Sequence, residues 1–264
     1  MRRFETVVQG VRLLKVPFND GGYDTGVTLV QTGTQNLLID SGECASTVDS
    51  CIMPALRELG IERPDQLLCT HTHGDHIGGH KRLMELAPAR TAVYRNDAAD
   101  LPVPADLLLD DGDEVVPGLR LIAMPGHMKG AVGWLHTESG TLICGDSLQG
   151  AGTDGVGLAL IEDAAAYRES IRRVMNIRPR RLVCGHGFAP CDFVIEGCMR
   201  VRAFLQCCLD TVQRYEAFVR SHADESVPDL TEKLVEAEKR TLPKYIVKGE
   251  YTVDGLLRAI KETS

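Results

Sequence analysis

The segment "THTHGDHIGGH", residues 70–80, places His71, His73, Asp75 and His76 within six consecutive positions. Imidazole nitrogen and carboxylate oxygen are the donors that suit zinc, iron or manganese, so this crowding points to metal chemistry. Three further segments share its grammar, in which a short apolar run stops at a glycine-containing loop carrying one metal-type side chain. These are "LIAMPGH" with His127, "TLICGD" with Asp146 and "RLVCGHG" with His186. Five histidines and two aspartates are too many for one tetrahedral ion and divide naturally over two. One carboxylate can then turn an oxygen to each ion, as in hydrolytic sites whose ions lie about 3.5–4 Å apart. His71 and His73, at i and i+2 on a tight loop, can point the same way and share an ion. The adjacent Asp75 and His76 are expected to diverge, which suits a second. His80, His136 and His222 fall outside this grammar; His80 is expected near a helix start, and His136 on a strand facing solvent or a partner.

The elements that must position these side chains can be read from periodicity and turn chemistry. Residues 26–40, "GVTLVQTGTQNLLID", read as two strands around a turn at Thr32-Gly33-Thr34. From Thr47 to Leu59 the apolar residues Val48, Ile52, Ala55, Leu56 and Leu59 recur at helical spacing, with Pro54 in the first turn or at a kink and Gly60 closing the helix. "DQLLCT" (65–70) is a short buried strand that feeds the histidine cluster, followed by a helix from about His80 to Leu86 and a strand "TAVYR". From Glu114 to Ser147 short strands alternate with "PG", "PGHMKG" and "ESG" turns. Asp163 can cap a helix that puts Tyr167, Ile171, Val174 and Met175 on one face and stops at Pro179. From Phe193 to Arg220, and again from Leu230 to Lys239, the period is helical. The expected organisation is therefore an α/β body over residues 1–190 and a helical extension over 191–264 packed on it. Cys69, Cys144 and Cys184 each precede a candidate ligand by two residues, about 6.6 Å along a strand, and are expected as an apolar floor beneath the site.

Composition narrows the partners. Of 264 residues, 29 are Lys or Arg and 37 are Asp or Glu, a net charge of −8, and the basic residues form no stripe. A nucleic-acid partner is therefore not expected. Arg2 and Arg3 are followed by no apolar h-region and no run of 18 apolar residues occurs, so neither a secretion signal nor a membrane span is expected. Nine cysteines without a CxxC pair fit reduced thiols, and the expected location is cytoplasmic.

"THTHGDHIGG" together with "PGH", "CGDS" and "CGHG" resembles the metallo-β-lactamase superfamily, over about Gly26 to Pro190, with spacing closest to its glyoxalase II-like and lactonase-like branches. The resemblance implies an α/β fold, an αββα sandwich with a dinuclear site at one edge of its two sheets, here followed by the helical appendage. It implies that His71, His73 and His127 hold one ion, that Asp75, His76 and His186 hold the other, and that Asp146 bridges them. Asp40, in "LLIDSG", would fix the tautomer of a ligand imidazole. The implied activity is that of a metal-dependent hydrolase with two divalent ions, zinc first and iron or manganese as alternatives. A metal-bridging hydroxide would act on an ester, thioester or lactone of a small molecule, and Asp75, beside that nucleophile, is the candidate catalytic group to handle its proton. The competing readings are a phosphodiesterase, or a non-hydrolytic metalloprotein on the same fold, either a sensor or a diiron redox protein; the superfamily's diiron flavoproteins typically carry Glu where this chain has His73. Partners beyond a small-molecule substrate are not implied, and an oligomer is compatible with the sequence. The stretch "SLQGAGTDGVGLALIEDAAAY" lacks the basic and aromatic contacts of glutathione recognition, and Phe188 stands where Tyr is usual. "PFNDGGYDT" (17–25) and the helices after residue 191 are placed to wall a pocket, with Tyr23 a candidate oxyanion donor.

Overall fold

The computed structural model describes residues 2–18, 23–153, 157–238 and 247–262. The chain opens with β1 (Glu5–Val8), β2 (Val11–Pro17), β3 (Asp24–Thr32) and β4 (Gln35–Ile39), an antiparallel meander that includes the expected hairpin. A helical run comes next, made of α1 (Ala45–Thr47), a π-helical turn over Val48–Ile52 and α2 (Met53–Glu58). The wider turn sits just ahead of Pro54, where a regular helix would present a backbone N–H that proline lacks. Then come β5 (Gln66–Leu68), the short α3 (Gly74–Ile77), α4 (His80–Leu86), β6 (Arg90–Tyr94) and β7 (Leu107–Leu109). Strands β4 to β7 run parallel, and the first sheet has the order β1-β2-β3-β4-β5-β6-β7.

The second sheet begins with β8 (Glu114–Val116), β9 (Leu119–Ala123), β10 (Val132–His136) and β11 (Thr141–Gly145). After α5 (Ala164–Ile177) come β12 (Arg181–Cys184) and β13 (Val194–Glu196), giving the order β13-β12-β11-β10-β9-β8. Asp163 caps α5 as expected, accepting from Ala166 N at 2.9 Å. The chain ends in α6 (Cys198–Ser221), α7 (Val227–Ala237) and α8 (Val247–Glu262).

Side-chain alternation along the strands builds the layers. Leu14, Val16, Val27, Leu29 and Leu38 face Val48, Ile52, Leu56 and Leu83 of the first helical layer. Their neighbours Leu13, Val30, Leu37 and Ile39 point the other way, against Leu121, Val132, Trp134 and Ile143 of the second sheet. The outer face of that sheet, with Leu142, Leu182 and Cys184, packs on Tyr167, Ile171 and Val174 of α5 and on Phe204, Val212 and Leu256 of the C-terminal helices. The result is the helix–sheet–sheet–helix sandwich, covered on both sides, which is why its central strands read as unbroken apolar runs.

Three local expectations change. The helical reading from Phe193 is interrupted, because Val194–Glu196 pairs antiparallel with β12 and the helix begins only at Cys198; "FVIE" alternates with period two as well as fitting a helix. Leu59, placed on the apolar face by periodicity, lies past the helix end and is 36% exposed. His136 is on a strand but buried, its Nδ1 paired with Ser139 Oγ at 2.8 Å. β1 and β2 carry no motif and had no counterpart in the periodicity reading. The proposed division at residues 190 and 191 falls just ahead of β13, an edge strand of the second sheet.

Trp134 ties the sandwich to the site, being fully buried between the sheets with Nε1 donating to Cys69 O at 2.9 Å, two residues before His71. Trp134→Ala is expected to lower stability by about 3–5 kcal/mol in urea unfolding, since it leaves a large cavity and an unpaired carbonyl.

Candidate metal centre

Each strand expected to end at a metal-type side chain does so: β5 runs into the histidine loop, β9 to His127, β11 to Asp146 and β12 to His186. All seven side chains meet at the edge where these strand ends open. His71 Nε2 lies 3.1 Å from His73 Nδ1, which lies 2.9 Å from His127 Nε2. Beside this triple, Asp75 Oδ2 is 3.0 Å from His186 Nε2 and 3.6 Å from His76 Nε2. Adjacent in sequence and expected to diverge, Asp75 and His76 instead reach one point, because α3 and its buried first turn direct both inward. Asp146 sits between the two groups, with Oδ1 3.5 Å from His76 Nε2 and Oδ2 3.4 Å from His186 Nε2 and 4.0 Å from His127 Nε2.

Fixed acceptors behind the imidazoles set which nitrogen faces inward. Asp40 Oδ2 accepts from His76 Nδ1 at 2.8 Å and from Thr70 Oγ1 at 2.9 Å, while Oδ1 accepts from Thr70 N at 2.8 Å. One buried carboxylate thus clamps both the start of the loop and a ligand-type imidazole. Asp40 takes a left-handed backbone (φ 66°), a conformation aspartate tolerates better than most residues, and this turns its carboxylate back under the loop. His127 Nδ1 faces Leu160 O at 2.9 Å, and His186 Nδ1 faces Asp24 O at 2.8 Å. Donation to these oxygens turns Nε2 of His76, His127 and His186 into the site, where a neutral imidazole would offer its lone pair.

A family model described as the metallo-beta-lactamase superfamily matches residues 21–186. The chain belongs to this superfamily. It is 36% identical over 142 residues to a hydroxyacylglutathione hydrolase of Cereibacter sphaeroides, covering 52% of this chain and 54% of that protein. It is 30% identical over 167 residues to an atrochrysone carboxyl ACP thioesterase of Emericella nidulans, covering 62% of this chain and 51% of that protein. The chain therefore spans about half the length of these curated relatives. Among solved structures, a metallo-beta-lactamase family protein of Thermus thermophilus superposes with a TM-score of 0.76 at 20% identity, covering 98% of this chain and 95% of that one, a likeness of fold.

The cluster divides electrostatically into two halves. Burial, reinforced by the neighbouring imidazoles, holds His71 well below the usual histidine range, and burial likewise takes His73 down to about 3 and lowers His127. The triple is therefore neutral, the state in which imidazole binds a metal. In the other half burial opposes ionisation of Asp75 and Asp146, but the imidazoles of His76 and His186 outweigh it and hold both carboxyls well below the usual range. Burial also depresses His76 and His186, yet the facing carboxylates prevail, raising His76 and pushing His186 up to about 9. Two ionised carboxylates in a buried space demand positive charge, which protonated His76 and His186 supply and which a bound cation would supply in their place.

The donor set fits divalent ions. His76 Nε2 and Asp146 Oδ1 are buried and have no hydrogen-bond partner among the described residues, an arrangement that costs about 1–3 kcal/mol per group when nothing else binds them. Tetrahedral bonds of about 2.0–2.1 Å would set ligand nitrogens roughly 3.3 Å apart, within a few tenths of an ångström of the spacing in the histidine triple. Gly185 makes the close packing sterically feasible, because a Cβ there would stand 2.3 Å from Asp146 Oδ1 and 2.6 Å from His76 Cε1.

Other expected participants fall in different places. Tyr23 lies at the rim, its ring edge-on to His186 with centroids 5.0 Å apart and stacked on Phe18 at 4.8 Å; residues 19–22 of its loop and 154–156 of the later stretch lie outside the described residues. Phe188 is buried and also meets His186 edge-on, at 5.8 Å. The three cysteines are buried but form no single floor: Cys144 and Cys184 share the helix-side core with Sγ atoms 3.7 Å apart, whereas Cys69 packs with Ile77 and Val93. His80, at the start of α4, pairs Nδ1 with Ser41 Oγ at 2.7 Å. Sequence reading overlooked Thr70, Gln149 and the carbonyls of Asp24 and Leu160. A carbonyl has no residue signature, and Gln149 carries no spacing signal beyond following Asp146 by three.

Asp40→Ala is expected to destabilise the metal-free protein by about 2–4 kcal/mol in chemical denaturation, because Thr70 N–H and His76 Nδ1 lose their buried acceptor.

Proposed function

We propose that the chain is a dinuclear metal-dependent hydrolase acting on an ester, thioester or lactone of a small molecule, with thioesters the leading class. The observation that carries the reading is the convergence of seven inward-facing donor atoms in two adjacent groups with Asp146 between them. His71, His73 and His127 would hold one divalent ion and Asp75, His76 and His186 the other, zinc being the first choice for this nitrogen-rich set. Asp146, between the two groups, would be the residue shared by both ions. When bound, the pair supplies a water acidified from a pKa of about 15.7 to about 7 and a Lewis acid for an acyl carbonyl.

The chain's own groups do the rest. Asp40 holds His76 in the orientation that keeps Nε2 inward. Asp75, ionised and facing His186, accepts the proton released on attack and returns it to the departing oxygen or sulfur. Phe18 and Tyr23, stacked beside His186, offer an apolar wall to the acyl or leaving group. The thioester class is supported by relatives whose names give two different carriers, glutathione and an acyl carrier protein, so the acyl–sulfur bond is what they share. The buried Phe188 and the absence of basic contacts in 147–167 weigh against glutathione as the carrier here.

The purified protein is expected to bind two equivalents of divalent metal, and Asp146→Ala at most one, as read by elemental analysis and chelator competition. His127→Ala should lower turnover at least about 100-fold. Across a panel of p-nitrophenyl esters, acyl thioesters, lactones and phosphodiesters, the acyl compounds should be cleaved. Cleavage of phosphodiesters alone, or oxygen consumption by an iron-loaded protein that leaves every ester intact, would overturn the proposal.

A further inference from the structure

Residues 158–161, a stretch of irregular backbone, commit both backbone groups of Ala159 and Leu160 and the N–H of Ile161 to hydrogen bonds with other segments. Ala159 N donates to Tyr215 Oη of α6 at 3.2 Å, and Ala159 O accepts from Thr252 Oγ1 of α8 at 3.3 Å. Ile161 N donates to the same Thr252 Oγ1 at 3.0 Å, and Glu162 N donates to Gly126 O at 2.7 Å, next to His127. Between them Leu160 uses both its groups on the site: its N donates to Gln149 Oε1 at 2.7 Å and its O faces His127 Nδ1 at 2.9 Å. Helix α8 runs so close that a Cβ at Gly255 would stand 2.4 Å from Glu162 O.

Gln149 makes this strap consequential. Its Oε1 is committed to Leu160 N, which turns Nε2 toward Asp146 O at 3.1 Å and His127 Nδ1 at 2.9 Å. His127 Nδ1 therefore has two competing neighbours. Toward Leu160 O it must carry its proton, leaving Nε2 free to bind; toward the Gln149 amide it must offer a lone pair, which would put the proton on Nε2, the nitrogen 2.9 Å from His73. The position of Leu160 O decides between the two tautomers, and Thr252 and Tyr215, on helices far along the chain, decide the position of Leu160.

We infer that residues 158–161 form a tautomer lock on His127, with Thr252 and Tyr215 of the C-terminal helices as positioning residues that hold Leu160 O against His127 Nδ1. The helical extension thereby has a part in preparing the metal centre without reaching it. The metal arm of the test rests on the reading of His127 as a ligand; the tautomer arm stands without it.

The experiment uses the full chain with 15N-labelled histidine, first metal-free, then titrated with zinc against a chromophoric chelator. In the wild-type protein the His127 ring should show the Nδ1–H tautomer. Thr252→Val, which keeps the shape and removes the hydroxyl, should bring in the Nε2–H form and weaken one of the two zinc sites by about 10- to 100-fold, with the other within twofold. Thr252→Ser should restore both readouts, and Tyr215→Phe, another near-isosteric change, should shift them in the same direction as Thr252→Val. A lower melting temperature in Thr252→Val and Tyr215→Phe with His127 tautomer and zinc affinities unchanged would assign these residues a structural role only and overturn the lock. Absence of stoichiometric zinc binding by the wild-type protein, with the tautomer shift still present in Thr252→Val, would overturn the metal reading and leave the lock standing.

Discussion

Everything at the edge of this sandwich derives from putting two ionised carboxylates and five imidazoles into a space that water hardly enters. These groups satisfy each other only in part: Asp75 and Asp146 repel and are held ionised by the facing imidazoles of His76 and His186, while the histidine triple crowds three neutral rings together with nitrogens 3.1 and 2.9 Å apart. A cation sharing this space would relieve both the carboxylate repulsion and the crowding of the imidazoles. The protein's part is to hold donors at fixed positions before that cation arrives, and the fold can be understood as the means.

Strands serve this purpose because their ends are rigid. β5, β9, β11 and β12 belong to two sheets packed face to face through Leu68, Leu121, Ile143 and Val183, so the loops at their ends start from fixed points. The path from each strand end to its first donor is short, and three of the five ligand-type imidazoles are then oriented by an acceptor behind them. For His76 that acceptor is a carboxylate, Asp40; for His127 and His186 it is a backbone carbonyl, Leu160 O and Asp24 O. The difference matters for the two halves. A carboxylate behind His76 adds negative charge to the half that already holds Asp75 and Asp146, raising the pull on a cation, whereas a neutral carbonyl behind His127 leaves the histidine triple uncharged.

The C-terminal helices complete the same logic from the opposite side of the second sheet. They cover its outer face with Phe204, Val212 and Leu256, and that packing also delivers two hydroxyls, Tyr215 and Thr252, to the strap behind His127. Burial of apolar surface thus brings polar groups to a place where the backbone would otherwise be unpaired.

By itself the sequence picked out the seven candidate donors that the fold brings together. Seven side chains announced themselves because metal chemistry restricts residue types, and because each sits where an apolar run meets glycine, a signal that survives in one dimension. The two-sheet sandwich was legible through the same motifs, and the hairpin of β3 and β4 and the cap at Asp163 through local turn and capping chemistry. Legibility stopped where partners are distant or lack side chains. The pairing of Val194–Glu196 with β12 overrode a helical period that four residues could fit equally well. His136 became buried because the loop at Gly10 covers it, its ring atoms lying 3.5 and 3.7 Å from where a Cβ at Gly10 would be. Only the tertiary structure decided which nitrogen of His76, His186 and His127 faces inward, since the deciding atoms are Asp40 Oδ2, Asp24 O and Leu160 O, separated from their imidazoles by 36, 162 and 33 residues. Ligand identity is a property of side chains and is written in the order of residues, whereas ligand orientation depends on hydrogen bonds between segments that only folding brings together.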